Sequence, residues 1–167
     1  MTAATVLTVD DDPIVRADLR LVLEDAGFNV CEDARNGLEA VERARTHRPD
    51  VILLDLAVPR LGGVEATRRI LGERPVPIVV LAGGGVDVGG AADQALEAGA
   101  VSIVRKPFSR LALVGAVREA LGGQAELARA GSRAAIAEIL GSMGYDGSWV
   151  GELEARTFAS GSVWRRV

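Results

Sequence analysis

Residues 51–55, Val51-Ile52-Leu53-Leu54-Asp55, decide how this chain folds. Four consecutive aliphatic residues without polar alternation predict a strand buried on both faces, as in a parallel sheet covered by helices. The run ends in an aspartate, and a carboxylate at the end of a buried strand is unusual unless the protein uses it. The stretch therefore predicts both the sheet core and one candidate functional residue.

Two further apolar runs precede this strand and two follow it, and amphipathic stretches separate the five runs. The predicted strands cover residues 6–9, 28–31, 51–55, 78–82 and 101–105. The predicted helices cover residues 13–26, 36–47, 62–73 and 87–99, and a fifth carries Leu111, Val114, Val117 and Leu121. Alternating strands and helices favour an α/β fold, a doubly wound five-stranded parallel sheet covered on both sides. This predicted domain occupies residues 1–121.

The composition limits the function classes. The chain has 167 residues, 49% hydrophobic and 25% charged, with a formal net charge of −4. These values are typical of one globular domain with a short appendage, and they disfavour a globally basic nucleic-acid binder. No aliphatic run approaches the ~20 residues of a membrane helix. Because the N-terminus also lacks a signal-peptide pattern, we expect a cytoplasmic protein without membrane contact.

Residues 122–167 differ from the preceding domain. A thin apolar stripe there is formed by Leu127, Ile136, Ile139, Leu140 and Met143, and Trp149 and Trp164 lie beyond it. The segment is too short for an independent core, and large aromatic side chains are common at interfaces. We expect a short helical or partly disordered C-terminal extension that forms a homodimer or contacts a partner. Its equal numbers of acidic and basic residues predict at most weak RNA binding.

Charged residues follow three of the predicted strands. Asp10 and Asp11 follow the first strand, Asp55 ends the third, and Lys106 follows the fifth. Ligands bind at the carboxyl ends of strands in open parallel sheets, so we expect these groups to meet in one crevice. Carboxylate oxygens suit Mg²⁺, and a carboxylate beside Mg²⁺ and a lysine can attack a phosphoryl group. Lys106 is the only lysine among 19 basic residues, which indicates a site that requires an ammonium group.

Three segments resemble the signature segments of two-component response-regulator receiver domains. They are Val9-Asp-Asp-Asp-Pro13, Pro49-Asp-Val-Ile-Leu-Leu-Asp-Leu-Ala-Val-Pro59 with Gly63, and Arg105-Lys-Pro-Phe108. The resemblance covers about residues 5–121 and implies a flavodoxin-like sheet of strand order 2-1-3-4-5, the order known for this family. It also implies that a histidine kinase is the partner and phosphoryl donor.

The resemblance assigns roles to individual residues. It implies that Asp55 accepts the phosphoryl group and that Lys106 pairs with the phosphoryl oxygens. Asp11, Asp55 and the backbone carbonyl of Ala57 would hold Mg²⁺, with Asp10 acting mostly through water. We therefore expect a response regulator in a phosphorelay and not an enzyme, apart from its own phosphorylation and dephosphorylation.

Two switch positions depart from the family pattern. Receiver domains usually carry threonine or serine at the end of strand four, where this chain has Ala82. They usually carry tyrosine or phenylalanine in the middle of strand five, where this chain has Ile103. The departures predict intact phosphorylation chemistry with weak conformational coupling, and they keep open a pseudo-receiver that no longer switches.

Two other functions stay open. A magnesium phosphatase that forms an aspartyl-phosphate generally has a second aspartate two residues after the nucleophile, and Ala57 at that position counts against it. The second function is antitermination, because Arg16-Ala-Asp-Leu-Arg20 and Pro77-Ile-Val-Val-Leu81 are similar to regulators with an ANTAR-type RNA-binding domain. Ser132-Arg-Ala-Ala-Ile136 weakly resembles the start of that domain, but the rest of residues 122–167 lacks its alanine- and arginine-rich pattern.

Overall fold

The computed structural model describes residues 2–83 and 90–123. The strands are β1 (Thr5–Val9), β2 (Asn29–Val30), β3 (Val51–Asp55), β4 (Ile78–Ala82) and β5 (Ser102–Arg105). The helices are α1 (Pro13–Asp25), α2 (Gly37–His47), α3 (Gly63–Glu73), α4 (Ala91–Glu97) and α5, which covers residues 110–123 of the described part. The predictions for residues 87–89 and for 124–167 lie outside the described residues.

The five strands form one parallel sheet in the order β2-β1-β3-β4-β5, which confirms the predicted order. Val9 pairs with Leu54, and Asp55 pairs with Leu81. Because all strands run in the same direction, their carboxyl ends lie along one edge of the sheet. The residues that follow β1, β3 and β5 are therefore neighbours in space although they are distant in sequence.

Each face of the sheet carries its own apolar cluster. The cluster that includes α2, α3 and α4 contains Leu7, Ile52, Leu54, Ile70 and Val80. The cluster that includes α1 and α5 contains Val6, Leu19, Leu53, Leu81 and Leu113. Every residue of β3 is buried, which explains why its sequence has no polar alternation. Burying a leucine side chain fully contributes roughly 1.5–3 kcal/mol, so the central strands anchor the fold.

Side-chain caps set where the first two helices begin. The Ile14 N–H donates to Asp12 Oδ1 at 2.8 Å, with Pro13 as the first residue of α1. The Glu39 N–H donates to Asn36 Oδ1 at 2.9 Å at the start of α2. Short polar side chains at this position satisfy helix N–H groups that have no intrahelical acceptor. These caps fix the two connections that leave the carboxyl edge of the sheet after β1 and β2.

Two predicted elements are shorter in the structure by two residues or more, and the other bounds differ from the prediction by at most one residue. The strand predicted over residues 28–31 contains only Asn29–Val30, because the chain then leaves regular pairing. It returns to β1 at Ala34, whose N–H donates to the Thr8 carbonyl at 2.9 Å. The fourth helix, predicted to end at residue 99, ends at Glu97 because Gly99 takes a left-handed φ of +113°.

No helix within residues 2–83 and 90–123 is long and apolar enough to cross a membrane.

Candidate functional site

The candidate site lies at the carboxyl edge of the sheet, where three of the predicted residues meet. Asp10 directly follows β1, Asp55 ends β3, and Lys106 directly follows β5. Lys106 Nζ lies 2.5 Å from Asp10 Oδ2 and 3.2 Å from Asp55 Oδ2. The two aspartates are 1% and 3% exposed. One ammonium group therefore bridges two buried carboxylates.

Asp11 completes an acidic cluster. One carboxylate oxygen from each of Asp10, Asp11 and Asp55 lies within 4.8 Å of the others, and Asp11 is exposed while its two neighbours are buried. Three carboxylates and one ammonium group leave an excess of two negative charges, which a divalent cation would neutralise. Within the described residues the Ala57 carbonyl oxygen accepts no hydrogen bond. This all-oxygen donor set fits Mg²⁺.

Backbone N–H groups orient the two buried carboxylates. The Asp12 N–H donates to Asp10 Oδ1 at 2.9 Å, and the Ala57 N–H donates to Asp55 Oδ1 at 3.2 Å. In each residue the other carboxylate oxygen, Oδ2, is the one that faces Lys106. Both carboxylates are thus held from two sides, which aligns them before any ligand arrives.

The protonation of the site follows from burial and charge. Burial raises the pKa of Asp55, and the Ala57 N–H and the Lys106 charge offset only part of that increase. Burial alone would lower the pKa of Lys106, but the hydrogen bond to Asp10 and the charges of both aspartates outweigh it and raise that pKa. Lys106 therefore stays protonated at neutral pH. Burial therefore makes the ionised Asp55 carboxylate less stable than it is in water.

The two switch positions are both apolar and packed. Ala82 ends β4, is 6% exposed, and its carbonyl accepts the Lys106 N–H at 2.7 Å. Ile103 in β5 is half-buried and packs against the apolar cluster that includes α2, α3 and α4. Neither residue carries a hydroxyl group or an aromatic ring. Ala82 therefore lies at the site edge of the sheet, whereas Ile103 lies farther back in β5, opposite Val80, and neither side chain can donate a hydrogen bond to a group in the site.

The sequence patterns missed two residues that shape the site. The Arg16 side chain reaches back from α1 to the carbonyl oxygens of Asp10 and Asp11. Gly37 at the start of α2 allows the backbone of Leu61 to pack against it. The sequence indicates a site role for Arg16 only through its position near the start of the helix that follows the aspartates. For Gly37 it indicates only that the residue follows the helix cap Asn36.

Comparisons with known proteins agree with this geometry. A family model of the response regulator receiver domain matches residues 6–118. Protein-glutamate methylesterase/protein-glutamine glutaminase 3 of Hahella chejuensis is 45% identical over 104 residues, which cover 61% of this chain and 30% of that protein. The transcriptional regulatory protein PdtaR of Mycobacterium tuberculosis is 35% identical over 136 residues, which cover 81% of this chain and 65% of that protein. The chain spans less than two thirds of the length of both relatives.

A solved structure adds information about the site. The receiver domain of a Pseudomonas aeruginosa sensor histidine kinase is 31% identical, has a TM-score of 0.65, and covers 72% of this chain and 98% of its own. That structure holds a magnesium ion coordinated in its active-site cleft. The family model spans more than half of the present sequence, and the strand order and acidic edge agree with it. The chain belongs to the response regulator receiver domain family.

Proposed function

We propose that this chain is a response regulator whose receiver, residues 1–121, accepts a phosphoryl group on Asp55 from a phosphohistidine of a histidine kinase. The observation that carries the proposal is the position of Lys106 Nζ between Asp10 and Asp55, at 2.5 Å and 3.2 Å from their oxygens. A fixed positive charge next to a buried, oriented carboxylate stabilises phosphoryl oxygens during in-line transfer.

The transfer uses the Asp55 side chain as nucleophile. An Asp55 oxygen forms a bond to phosphorus while the phosphorus–nitrogen bond of the donor breaks, and the imidazole leaves with the bonding electron pair. Lys106 then turns part of its hydrogen bonding from Asp55 to the phosphoryl oxygens. Burial supports the reaction, because the loss of hydration makes the free Asp55 carboxylate less stable than it is in water.

Asp11, Asp55 and the Ala57 carbonyl would hold Mg²⁺ directly, and Asp10 would act mostly through water. When bound, the ion neutralises the charge on the carboxylates and on the transferred phosphoryl group. The excess of two negative charges in the cluster supports this assignment, as does the exposure of Asp11 to incoming ions. The protein's own contribution is to hold these oxygens at one edge of the sheet.

Phosphorylation by a small donor tests the proposal. Acetyl phosphate should label the wild type in the presence of Mg²⁺, and the label should disappear in Asp55→Asn or after removal of Mg²⁺. Asp50→Asn is the matched control, since Asp50 lies just before β3, at the opposite end of the strand that Asp55 ends. Intact mass spectrometry reads the result, and equal labelling of wild type and Asp55→Asn contradicts the proposal.

The site favours phosphate acceptance over sustained hydrolysis. Ala57, two residues after Asp55, offers no side-chain acid to protonate a leaving group. The described residues around the acidic cluster therefore support self-phosphorylation and slow self-dephosphorylation, not a magnesium phosphatase. The methylesterase relatives do not change this proposal, because the alignment covers only 30% of the first of them.

A second candidate function concerns residues 122–167, the proposed C-terminal extension. The 136-residue alignment with the transcriptional regulatory protein PdtaR is longer than the receiver and therefore reaches into this segment. It supports a regulatory output in this segment, because that relative is a transcriptional regulatory protein. We propose that this output binds RNA or contacts a second copy of the chain, in the cytoplasm. Truncation after Gly123, followed by comparison of oligomer size and RNA binding with the full chain, tests it. Unchanged size and binding in the truncated protein contradict an output in this segment.

A further inference from the structure

Arg16 makes a set of contacts that links the β1–α1 loop, which carries Asp10 and Asp11, to the connection between β2 and α2. Its Nε donates to Asp33 Oδ2 at 2.8 Å, and its Nη1 donates to the carbonyl oxygens of Asp10 at 2.8 Å and Asp11 at 3.2 Å. The side chain is only 13% exposed. One guanidinium group thus fastens two consecutive carbonyl groups of the β1–α1 loop to the connection between β2 and α2.

We infer that Arg16 is a positioning residue for cation binding, an inference that rests on the proposed function. Within the described residues no N–H group donates to the Asp11 carboxylate. The orientation of this carboxylate therefore depends on its backbone, and Arg16 donates a hydrogen bond to that backbone at the Asp11 carbonyl. Residues that fix ligands in this way commonly change metal affinity by about 10- to 100-fold when they are replaced.

The charge of Arg16 is compatible with a nearby cation. Asp33 is 36% exposed and pairs with the Arg16 guanidinium, which offsets its positive charge beside the acidic cluster. The planar group also explains why arginine stands at this position. Its Nε and Nη1 donate in two directions at once, whereas the single nitrogen of lysine cannot reach both the carbonyl groups and Asp33 with the same geometry.

Arg20 supplies a matched control on the same helix. Its Nη1 and Nη2 donate to the carbonyl oxygens of Val30 at 3.1 Å and Cys31 at 2.9 Å, and it pairs with Glu24. Like Arg16, Arg20 donates hydrogen bonds to two carbonyl oxygens and forms an ion pair. Its acceptors, however, lie in β2 and in the residue after it and not in the β1–α1 loop. Replacement of Arg20 removes equivalent hydrogen bonds and leaves the β1–α1 loop untouched.

Titration of the full chain with Mg²⁺ alone tests the inference, with the amide signals of Asp11, Asp12 and Ala57 as the readout. In Arg16→Gln the dissociation constant for Mg²⁺ should rise about 10-fold or more, and Arg16→Lys should not restore it. Arg20→Gln should bind Mg²⁺ as the wild type does, even if its unfolding midpoint falls by as much as that of Arg16→Gln. Asp33→Ala removes one half-exposed ion pair and should raise the constant by about 2- to 5-fold.

The outcomes separate this inference from the proposed function. Equal Mg²⁺ affinity in wild type and Arg16→Gln overturns the inference alone, as does an equal loss in Arg20→Gln. If Arg16→Gln does not fold, Asp33→Ala decides, and wild-type affinity in that variant overturns the inference. A wild type that binds no Mg²⁺ overturns both the inference and the proposed function.

Discussion

The Nζ atom of Lys106 lies 2.5 Å from Asp10 Oδ2, so the only lysine of the chain is paired within the acidic site. A compact ammonium group can approach two carboxylates from the end of β5, whereas a planar guanidinium is longer and donates as a fork. We predict that Lys106→Arg lowers the rate of Asp55 phosphorylation by acetyl phosphate at least about 10-fold, although it keeps the charge. The neighbouring exchange Arg105→Lys is the control and should leave the rate unchanged. Undiminished labelling of Lys106→Arg would show that the site does not require an ammonium group.

Asp55 makes stability depend on pH in a predictable direction. Burial raises its pKa, so the folded state binds this proton more tightly than the unfolded chain does. Between the ordinary pKa of an aspartate and the raised value, ionisation destabilises the fold, and the loss persists at higher pH. Without Mg²⁺, Asp55→Asn should therefore be more stable than wild type at pH 7, and this advantage should shrink as the pH falls from the raised pKa to the ordinary pKa of an aspartate. Urea unfolding at several pH values measures it, and an advantage that grows toward low pH contradicts the assignment.

Mg²⁺ should reverse the difference in stability between wild type and Asp55→Asn. An ion that binds only the folded state stabilises it by about 2.7 kcal/mol at a concentration 100 times the dissociation constant. Wild type should gain this stability, and Asp55→Asn should gain less, because its amide replaces a negatively charged carboxylate ligand by a neutral one. Thermal unfolding with Mg²⁺ and with a chelator makes the comparison. Equal stabilisation of both proteins would place the ion elsewhere.

Thr8 and Thr67 offer a test of buried hydroxyl groups. Both residues are fully buried, but within the described residues Thr8 Oγ1 has no hydrogen-bond partner, whereas Thr67 Oγ1 donates to the Gly63 carbonyl at 2.8 Å. Valine has nearly the same shape without the hydroxyl group. Thr8→Val should increase the free energy of unfolding by about 1 kcal/mol, and Thr67→Val should decrease it by about the same amount. A loss of stability in Thr8→Val would reveal a partner for that hydroxyl group.

Gly37 is needed for close packing beside the site. A methyl group on Gly37 would lie 1.8 Å from the Leu61 carbonyl oxygen, in the loop that follows Asp55. Gly37→Ala should lower the free energy of unfolding by about 1–3 kcal/mol, because backbone must move. Gly115 lies on the exposed side of α5, and a methyl group added there would have no atom within 4 Å. Gly115→Ala should therefore raise the free energy of unfolding by about 0.4–1 kcal/mol. Denaturant unfolding of both variants decides, and a neutral Gly37→Ala would mean that the loop is free to shift.

Ala82 predicts weak conformational coupling. A ligand shifts an equilibrium only by its different interaction with the two states, and a hydrogen bond to a charged group is worth roughly 1.5–3 kcal/mol. Beryllium fluoride should therefore cause amide shifts confined to the surroundings of Asp55 in wild type. Ala82→Thr, which supplies a hydroxyl group, should extend them along residues 87–108, and Ala82→Val, which has the same shape, should not. Extensive shifts over 87–108 in wild type would contradict the prediction.

The aliphatic runs of the sequence were sufficient to predict a parallel sheet and the gathering of the predicted residues at one edge, whereas the strand order came from the family resemblance. Unbroken aliphatic runs such as Val51–Leu54 have to be buried on both faces, and in a parallel sheet this burial brings Asp10, Asp55 and Lys106 to the same end. The Asp12 cap is equally local, because capping depends on residues that are adjacent along the chain. Local pattern was less reliable for β2 and α4, whose lengths depend on where Ala34 returns to β1 and where Gly99 ends the helix.

Only the tertiary structure decided which atoms meet. The pairing of Arg16 with Asp33 and its bonds to the Asp10 and Asp11 carbonyls join segments that no periodicity links. Burial likewise decided the raised pKa of Asp55, which no motif encodes, because desolvation depends on every neighbour that excludes water. The sequence by itself determined which groups reach the edge of the sheet, since hydrophobic periodicity is local. The distances, the hydrogen-bond directions and the charge balance needed the folded chain, since they arise from contacts between residues far apart in sequence.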